Sequence, residues 1–365
     1  MRTLLITDLH LNARVPGLLD AQCESILKIF NNEKPDEVII MGDVFMYRKP
    51  SPSELLSFKK ILDNIKLSTD ATLDTSRASV LDSFGLGVQT VCVYVLRGNH
   101  DSETKADDGV TSLSLFEDLT NDVKIINHTW VDKIRRRVFI PHYENEETII
   151  SALEMVPKEF TVFGHFGYDG CLNSAGDADF GIPLSNFTST TFLGHIHGFR
   201  EGQGGLPEAH TRVVCLGTPY TTNFGECFKD SFYAVLSDNV VGHWVVPEPP
   251  KIEFKKANHG PRHLVYPVSK IEDNLETIND PNYFTFLRVM VGADHAPIPY
   301  EKLDVAYIDV KYAPIFNEEE VSSYNPDRDL FSINEMIISD YVESANSTLS
   351  TGRLMEGYRL LKNED

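Results

Sequence analysis

The 365-residue sequence predicts a layered α/β fold, on three observations. Short apolar runs of strand length alternate with segments of helical period over roughly residues 1–246. Five of those runs are each followed at once by a cluster of Asp, Asn or His residues, in most cases with a glycine in it. Near residue 213 the pattern changes to strand-like runs joined by short turns, the mark of an antiparallel end to the domain.

The five runs are Thr3–Thr7, Glu37–Met41, Val91–Leu96, Phe160–Phe163 and Thr190–Leu193. In order, they lead into Asp8-Leu9-His10, Gly42-Asp43, Gly98-Asn99-His100-Asp101, Gly164-His165 and Gly194-His195-Ile196-His197. Polar residues placed after buried strands gather at one edge of a sheet. A first helix is expected over Asp20–Asn31 and a second over Ser53–Ile65, with Leu55, Leu56, Ile61, Leu62 and Ile65 as its apolar positions. Pro50-Ser51-Pro52-Ser53 precedes the second, with Ser53 as its N-cap. Residues 66–89 are rich in Ser, Thr and Asp and read as a surface insertion, with a short helix around 75–84.

Val213–Leu216, Phe232–Ser237 and Val240–Val246 read as the later strands, with Ser237-Asp238-Asn239 as a hairpin turn. Pro247-Glu-Pro-Pro250 breaks the pattern, and strands at Phe284–Val291 and Val305–Tyr312 suggest a small β-rich appendage. After Glu318-Glu-Glu320 and Asn325-Pro326, Leu330, Ile333, Ile337, Ile338, Tyr341 and Val342 recur at helical spacing. A second such segment carries Leu354, Tyr358 and Leu361. Two short amphipathic helices at a terminus either pack on their own domain or dock on another protein through the apolar face.

Length favours one large domain with smaller appendages, and 42% hydrophobic content suffices for a folded interior. The five cysteines, at 23, 92, 171, 215 and 227, are odd in number and show no C-x-x-C pair, so neither a disulfide framework nor a zinc finger is suggested. The first apolar run is far too short for a signal-peptide core or a membrane span. A soluble cytoplasmic protein with no membrane partner is therefore expected. The formal net charge of −21 is unfavourable for contacts with nucleic-acid phosphates, which Lys and Arg normally make. Either the substrate is not DNA, or cations and a partner supply the missing positive charge.

The motifs carry a definite chemistry. Hydrolysis of a phosphodiester needs a hydroxide near neutral pH, neutralised phosphoryl oxygens and a stabilised leaving oxygen, and two divalent cations about 3.5–4 Å apart supply all three. Holding them so close takes a shared carboxylate with neutral imidazoles or amides. Asp8 and His10, two apart, would point to one side if the strand continued and grip one metal. Asp43 is the natural bridge, Asn99 offers an uncharged oxygen, and His165, His195 and His197 offer imidazoles that suit Mn, Fe or Zn better than Ca. The glycines before Asp43, Asn99, His165 and His195 allow close backbone approach. His100 is left free to contact the scissile phosphate or protonate the leaving oxygen, with Asp101 to orient it and raise its pKa. His142, His128 and His243 stand outside this ladder and are assigned to structure. Arg135-Arg136-Arg137 reads as a solvated face, with contact to DNA backbone as the lesser alternative.

On these motifs the chain resembles the calcineurin-like metallophosphoesterases over roughly residues 1–246. Within them, Gly42-Asp-Val-Phe45 with Arg48-Lys-Pro-Ser-Pro52, Gly194-His-Ile-His197, and Gly217-Thr-Pro219 with Phe224-Gly-Glu226 resemble the nuclease subunit of SbcCD-type double-strand-break repair complexes. The phage recombination endonuclease subunits are similar in size. The protein-phosphatase signature Gly-Asp-x-x-Asp-Arg-Gly is absent, since Val44-Phe-Met-Tyr47 follows Asp43.

The resemblance implies a layered β-sandwich flanked by helices over residues 1–247, a small β-rich capping domain at 248–315 that shapes a DNA channel, and a C-terminal helical segment at 316–365. That segment would bind the coiled coil of an SMC-like ATPase, which favours the partner face for Ile333, Ile337, Ile338 and Tyr341. The resemblance further implies one metal held by Asp8, His10, Asp43 and His197, another by Asp43, Asn99, His165 and His195, manganese as the usual ion, His100 as the catalytic histidine, and a homodimer. Two departures stand out. Met46 occupies a position where several cellular members carry a histidine associated with exonuclease action, and residues 66–89 exceed the family's minimum length. Two other readings remain at this stage, a small-molecule phosphodiesterase of the cyclic-nucleotide kind and an interaction protein that recruits the ATPase.

Overall fold

The computed structural model describes residues 1–70, 92–106, 109–117, 123–171, 181–204, 211–227, 229–237, 240–241, 244–245, 251–292 and 297–312. The expected helix at 75–84, the Ser237-Asp238-Asn239 turn, His243 and both terminal helices lie outside the described residues. The chain divides into two units, Met1–Ala313 and Pro314–Asp365.

Alternating apolar residues build the first unit as two sheets face to face. Strands β1 (Arg2–Ile6), β2 (Glu37–Ile40), β3 (Cys92–Leu96) and β4 (Val123–Ile126) pair in parallel, and β11 (Phe232–Ser237) and β14 (Lys251–Lys256) extend them antiparallel beyond β1. The second sheet runs β5 (Trp130–Asp132), β6 (Arg137–Ile140), β7 (Thr161–His165), β8 (Thr191–Gly194), β10 (Thr211–Cys215) and β9 (Arg200–Gly204). Its four central strands are parallel and its two edges antiparallel.

Because strand side chains alternate in direction, one residue set fills the space between the sheets and the other faces the helices. Leu5, Ile39 and Leu96 from the first sheet meet Phe139, Phe163, Phe192 and Val214 from the second. The phenylalanines stack, with ring centroids 5.2 Å apart for Phe139 and Phe163 and 5.8 Å for Phe163 and Phe192. On the outside, Leu4, Ile6, Val38, Ile40, Val93 and Val95 pack under α1 (Leu18–Glu33) and α2 (Pro52–Asp70). Val138, Ile140, Val162, Leu193 and Val213 pack under α3 (Glu146–Glu154). The order helix, sheet, sheet, helix is the layered sandwich that the sequence led us to expect.

Several local expectations are corrected. The N-cap of α2 is Ser51, not Ser53: Glu54 N–H donates to Ser51 Oγ at 3.3 Å, and Ser51 N–H donates back to Glu54 Oε2 at 2.6 Å. This reciprocal pair is a capping box, and it places Pro52 at the first helical position, where its missing N–H costs nothing. Val240–Val246 is not one strand paired with β11. Instead β12 (Val240–Val241) pairs with β13 (Trp244–Val245), and β11 takes β14 as its partner. The first sheet thus runs past residue 247, and a separate three-stranded parallel sheet begins at β15 (Gly260–Pro267), with β16 (Tyr283–Val291) and β17 (Tyr307–Tyr312).

Arg135 and Arg137 are not a solvated face. Arg137 is buried and pairs with the buried Glu37, while Arg135 reaches Asp132 at 3.1 Å and Glu37 at 3.7 Å. They tie one sheet to the other. Among the described residues, no helix is long and apolar enough to cross a membrane.

Candidate metal centre

Parallel strands of both sheets end at the same edge, so the loops after β1, β2, β3, β7 and β8 converge there. The convergence of Asp8 and His10 does not come from strand alternation, because β1 stops at Ile6. Asp8 and His10 both have left-handed backbone, with φ 54° and 43°, and Asp43 and His195 do too, at 50° and 76°. Non-glycine residues rarely adopt this conformation, which costs energy and gathers at functional sites. Backbone bonds hold the loop in place: Asp8 N–H donates to Gly42 O at 3.1 Å, and His10 N–H to Asp43 O at 2.9 Å. From α1, Gln22 Nε2 donates to the His10 carbonyl at 2.9 Å, and Tyr220 OH donates to Leu9 O at 2.7 Å.

Two glycines are required by close approach. A side chain at Gly42 would overlap the His165 ring and face a φ of 94°, and one at Gly98 would overlap the Asp43 carboxylate.

The structure brings all seven residues expected to bind metal into two groups that meet at Asp43. In one group, His10 Nε2 and His197 Nε2 lie 3.0 Å apart. Asp8 Oδ1 is 3.8 Å and 3.7 Å from these two nitrogens, and Asp43 Oδ2 is 3.6 Å from His10. In the other, Asn99 Oδ1 lies 3.1 Å from His165 Nε2 and 3.0 Å from His195 Nδ1, and Asp43 Oδ1 is 3.4 Å from His165. Three overlapping sets of ligand atoms, from Asp8, His10 and His197, from His10, Asp43 and His100, and from Asp8, Asp43 and His165, each lie within 4.8 Å of one another.

This donor set fits divalent cations. Asp8 and Asp43 are two buried carboxylates, an expensive arrangement unless positive charge compensates it. Burial lowers His10 to about 4 despite the carboxylates beside it, so its imidazole is neutral at pH 7 with Nε2 turned toward Asp8 and Asp43. Burial works against ionisation of Asp43, yet the His165, His10 and His100 imidazoles outweigh it and hold Asp43 well below the usual carboxylate value. Burial likewise pulls His165 down, but the Asp43 charge and contact prevail and hold it up at about 9. A cation held there would take the place of that proton.

The supporting residues were partly invisible in sequence. His197 Nδ1 hydrogen-bonds the buried Glu226 carboxylate, which also accepts from Thr222 N–H at 2.6 Å and Thr222 Oγ1 at 2.9 Å. Burial opposes protonation of His197, but Glu226 and Asp8 raise it overall. His165 Nδ1 pairs with the Met41 carbonyl at 2.6 Å, and Asp8 Oδ2 accepts from Thr7 Oγ1 at 2.7 Å and His195 N–H at 3.0 Å. Such partners fix tautomer and ring orientation at metal sites.

Asp101 does not orient His100. Its carboxylate accepts from the backbone N–H groups of Val44 at 3.0 Å, Phe45 at 3.3 Å and Gly98 at 2.9 Å, so it braces the loops beneath the site. Burial and the Asp43 charge push Asp101 up to about 7. His100 is instead oriented by the Met46 carbonyl, 2.6 Å from Nδ1, while its backbone N–H donates to Asp43 Oδ1 at 2.8 Å. Met46 thus enters the site through its main chain.

His142, read from sequence as structural, stands beside the centre, its ring centroid 5.9 Å from His195 and 6.3 Å from His165. The signal was present: Ile140-Pro-His142 follows β6, a parallel strand adjoining β7, by the same strand-end rule that marked the others.

Residues 1–199 match the family model described as Calcineurin-like phosphoesterase. A search of curated protein sequences finds no match. Similar solved structures include a nuclease MPE from Pseudomonas putida, at 13% identity over 58% of this chain and 71% of that one, with a TM-score of 0.28. A dimetal phosphatase from Danio rerio is 10% identical over 69% and 98%, TM-score 0.33. The calcineurin-like phosphoesterase YfkN from Bacillus subtilis is 13% identical over 70% and 90%, TM-score 0.35. Likenesses this distant bear on neither substrate nor partner.

Proposed function

This chain belongs to the calcineurin-like phosphoesterases, and from that premise we propose that it is a metal-dependent DNA nuclease acting with an SMC-like ATPase in recombination, repair or end processing. The supporting observation is the place of Glu226. The Phe224-Gly-Glu226 motif, one of those resembling SbcD-like nuclease subunits, supplies the carboxylate that holds His197 Nδ1. The motif that suggests the nuclease branch is therefore built into the centre itself.

In this reading Asp8, His10, Asp43 and His197 hold one divalent cation, and Asp43, Asn99, His165 and His195 hold the other, with manganese the expected ion. When bound, the cations supply an acidified water as nucleophile and neutralise the phosphoryl oxygens. Asp43 turns one oxygen to each group and would be shared between them. Since Nδ1 of His100 donates to the Met46 carbonyl, its Nε2 is the atom left to meet the substrate, and with the ring doubly protonated it donates a proton to the leaving oxygen, leaving the neutral imidazole. Asp101 acts as a brace for these loops rather than in proton transfer.

Residues 316–365 are the proposed docking segment for the ATPase, and the small sheet β15–β17 the core of the proposed cap beside the DNA. The ATPase would also contribute the positive charge that a chain of net charge −21 lacks. A homodimer in the cytoplasm completes the proposal.

Manganese-dependent assays on linear and circular DNA, with and without the co-expressed ATPase, test it. Cleavage is expected in wild type and a loss of about 100-fold or more in Asp43→Ala and His197→Ala proteins that melt cooperatively. Full activity in either variant would refute the assignment. Rapid turnover of a cyclic nucleotide with every DNA substrate left intact would replace it with the small-molecule phosphodiesterase reading, which the net acidity favours.

A further inference from the structure

The Arg48-Lys-Pro-Ser-Pro52 motif is explained at its far end, where Ser51 and Pro52 open α2, but its arginine has no part in that capping. Arg48 lies on the segment that leaves the site after Asp43 and Met46. Its guanidinium turns back to the neighbouring loops. Nη1 donates to the Ser102 carbonyl at 3.1 Å and to the Thr104 carbonyl at 3.0 Å, and Nη2 donates to Glu144 Oε1 at 3.3 Å. One side chain thus joins the loops that follow β2, β3 and β6.

Two of those loops make the contact that orients His100. The Met46 carbonyl lies 2.6 Å from His100 Nδ1. Met46 stands two residues before Arg48, and His100 two before Ser102, so the clamp spans both partners of this contact. Backbone bonds alone leave it unfinished. Met46 N–H donates to Leu11 O at 3.1 Å, which fixes the nitrogen end of the residue, whereas its carbonyl belongs to the next peptide and follows Tyr47 and Arg48. There Arg14 stands over the Tyr47 ring, 3.5 Å from its centroid, and Arg48 holds the residue after it.

The proposed metal ligand in the neighbouring loop has supports of its own. Gly98 N–H donates to Asp101 Oδ2 at 2.9 Å, and Thr111 Oγ1 donates to the Asp101 carbonyl at 2.7 Å, on either side of Asn99 and His100. The guanidinium suits a clamp, because its donors lie in one plane at fixed angles and stay charged. With those donors given to two carbonyls and a carboxylate, Arg48 is spent between loops rather than on a substrate phosphate.

We propose that Arg48 is a positioning residue for proton transfer to the leaving group: by clamping the Met46 segment to Ser102 and Thr104 it keeps the Met46 carbonyl on His100 Nδ1 and so aims Nε2 at the leaving oxygen. The inference rests on the acid role of His100 proposed above and not on DNA as the substrate. As the bond from phosphorus to the leaving oxygen breaks, the doubly protonated ring gives its Nε2 proton to that oxygen and becomes neutral, with Nδ1–H still on Met46. Without the clamp the ring loses its bearing, so proton transfer slows while the proposed metal ligands keep their places.

Methyl phenyl phosphate and methyl para-nitrophenyl phosphate, assayed with manganese, test this. The para-nitrophenolate ion is a weak base that departs without a proton, whereas the more basic phenolate gains from one. In Arg48→Ala, kcat should fall about tenfold more on the phenyl ester than on the nitrophenyl ester, with KM little changed. Arg48→Met, which keeps the apolar stem and loses the donors, should behave alike and covers a folding defect in the alanine variant. Manganese affinity, read by titration, should stay at the wild-type value in both.

A double variant separates positioning from a general structural role. Because Arg48 acts through His100, removing it from His100→Ala protein should cost nothing further on the phenyl ester, whereas an independent contribution would add in full. No loss or equal losses on the two esters in both Arg48 variants, a matching fall in manganese affinity, or additive losses in the double variant would overturn the proposal. A failure of the acid reading looks different: His100→Ala itself then loses equally on both esters, and the role of Arg48 falls with it.

Discussion

At the scale of single residues, the candidate centre depends on groups outside the proposed ligand set. Glu226 is buried, accepts three hydrogen bonds from Thr222 and Asn223, and fixes the His197 ring. Replacing it by Gln leaves the shape but weakens that hold, so manganese affinity of Glu226→Gln should fall about 10–100-fold, as read by metal titration. The seven proposed ligands and His100 were legible because Asp, Asn and His rarely follow one apolar run after another by chance. The left-handed backbone at Asp8, His10, Asp43 and His195 was not legible, since nothing in those residue types demands it. Nor was the role of Asp101. Its neighbour in sequence is His100, but its neighbours in space are three backbone N–H groups, and only the folded loops show the difference.

Among the elements, legibility follows apolar content. The five apolar strands that lead into the motifs are found within a residue or two of their observed bounds. Short polar edge strands escape, because Trp130-Val-Asp132 and Arg200-Glu-Gly-Gln-Gly204 carry no alternation that a solvated turn lacks. β14 escapes for a related reason: Lys251-Ile-Glu-Phe-Lys-Lys256 follows a proline-rich break and presents its charges on an edge, where they discourage pairing with other chains. The capping box of α2 was missed by two positions, although Ser51-Pro-Ser-Glu54 carries the signature. Ser51→Ala should cost about 1 kcal/mol of unfolding free energy, and Ser53→Ala at most a few tenths, measured by denaturant titration.

At the scale of the whole molecule, α1 is fastened to the first sheet at Glu33, its last residue. Its carboxylate pairs with Arg2 of β1, accepts from Tyr233 OH of β11 at 2.7 Å, and meets Lys255 of β14 at 2.8 Å. Burial alone would raise Glu33, but the bonds from Lys255, Tyr233 and Arg2 outweigh it and lower its pKa below 4.5. A carboxyl group whose pKa is depressed by folding stabilises the native state fully above its unfolded value and loses that contribution as pH falls through the folded one. Glu33→Gln should therefore unfold about 1–3 kcal/mol more easily at pH 7, with the gap closing below pH 4.5, as followed by denaturant midpoints across pH.

The small sheet is also bonded to the segment that carries Glu226. His263 of β15 donates its N–H to Thr221 Oγ1 at 2.8 Å and lies 3.0 Å from it through Nδ1, and Thr222 donates to the carboxylate that holds His197. Gly260 of the same strand leaves no room for a Cβ against Ser25 of α1. Opening β15 would thus free Thr221, then Glu226, then the His197 ring, which couples the small sheet to the candidate centre. Amide exchange should report this directly: protection in β15–β16 and at residues 195–197 is expected to vanish together on heating, and Thr221→Val to accelerate exchange at both.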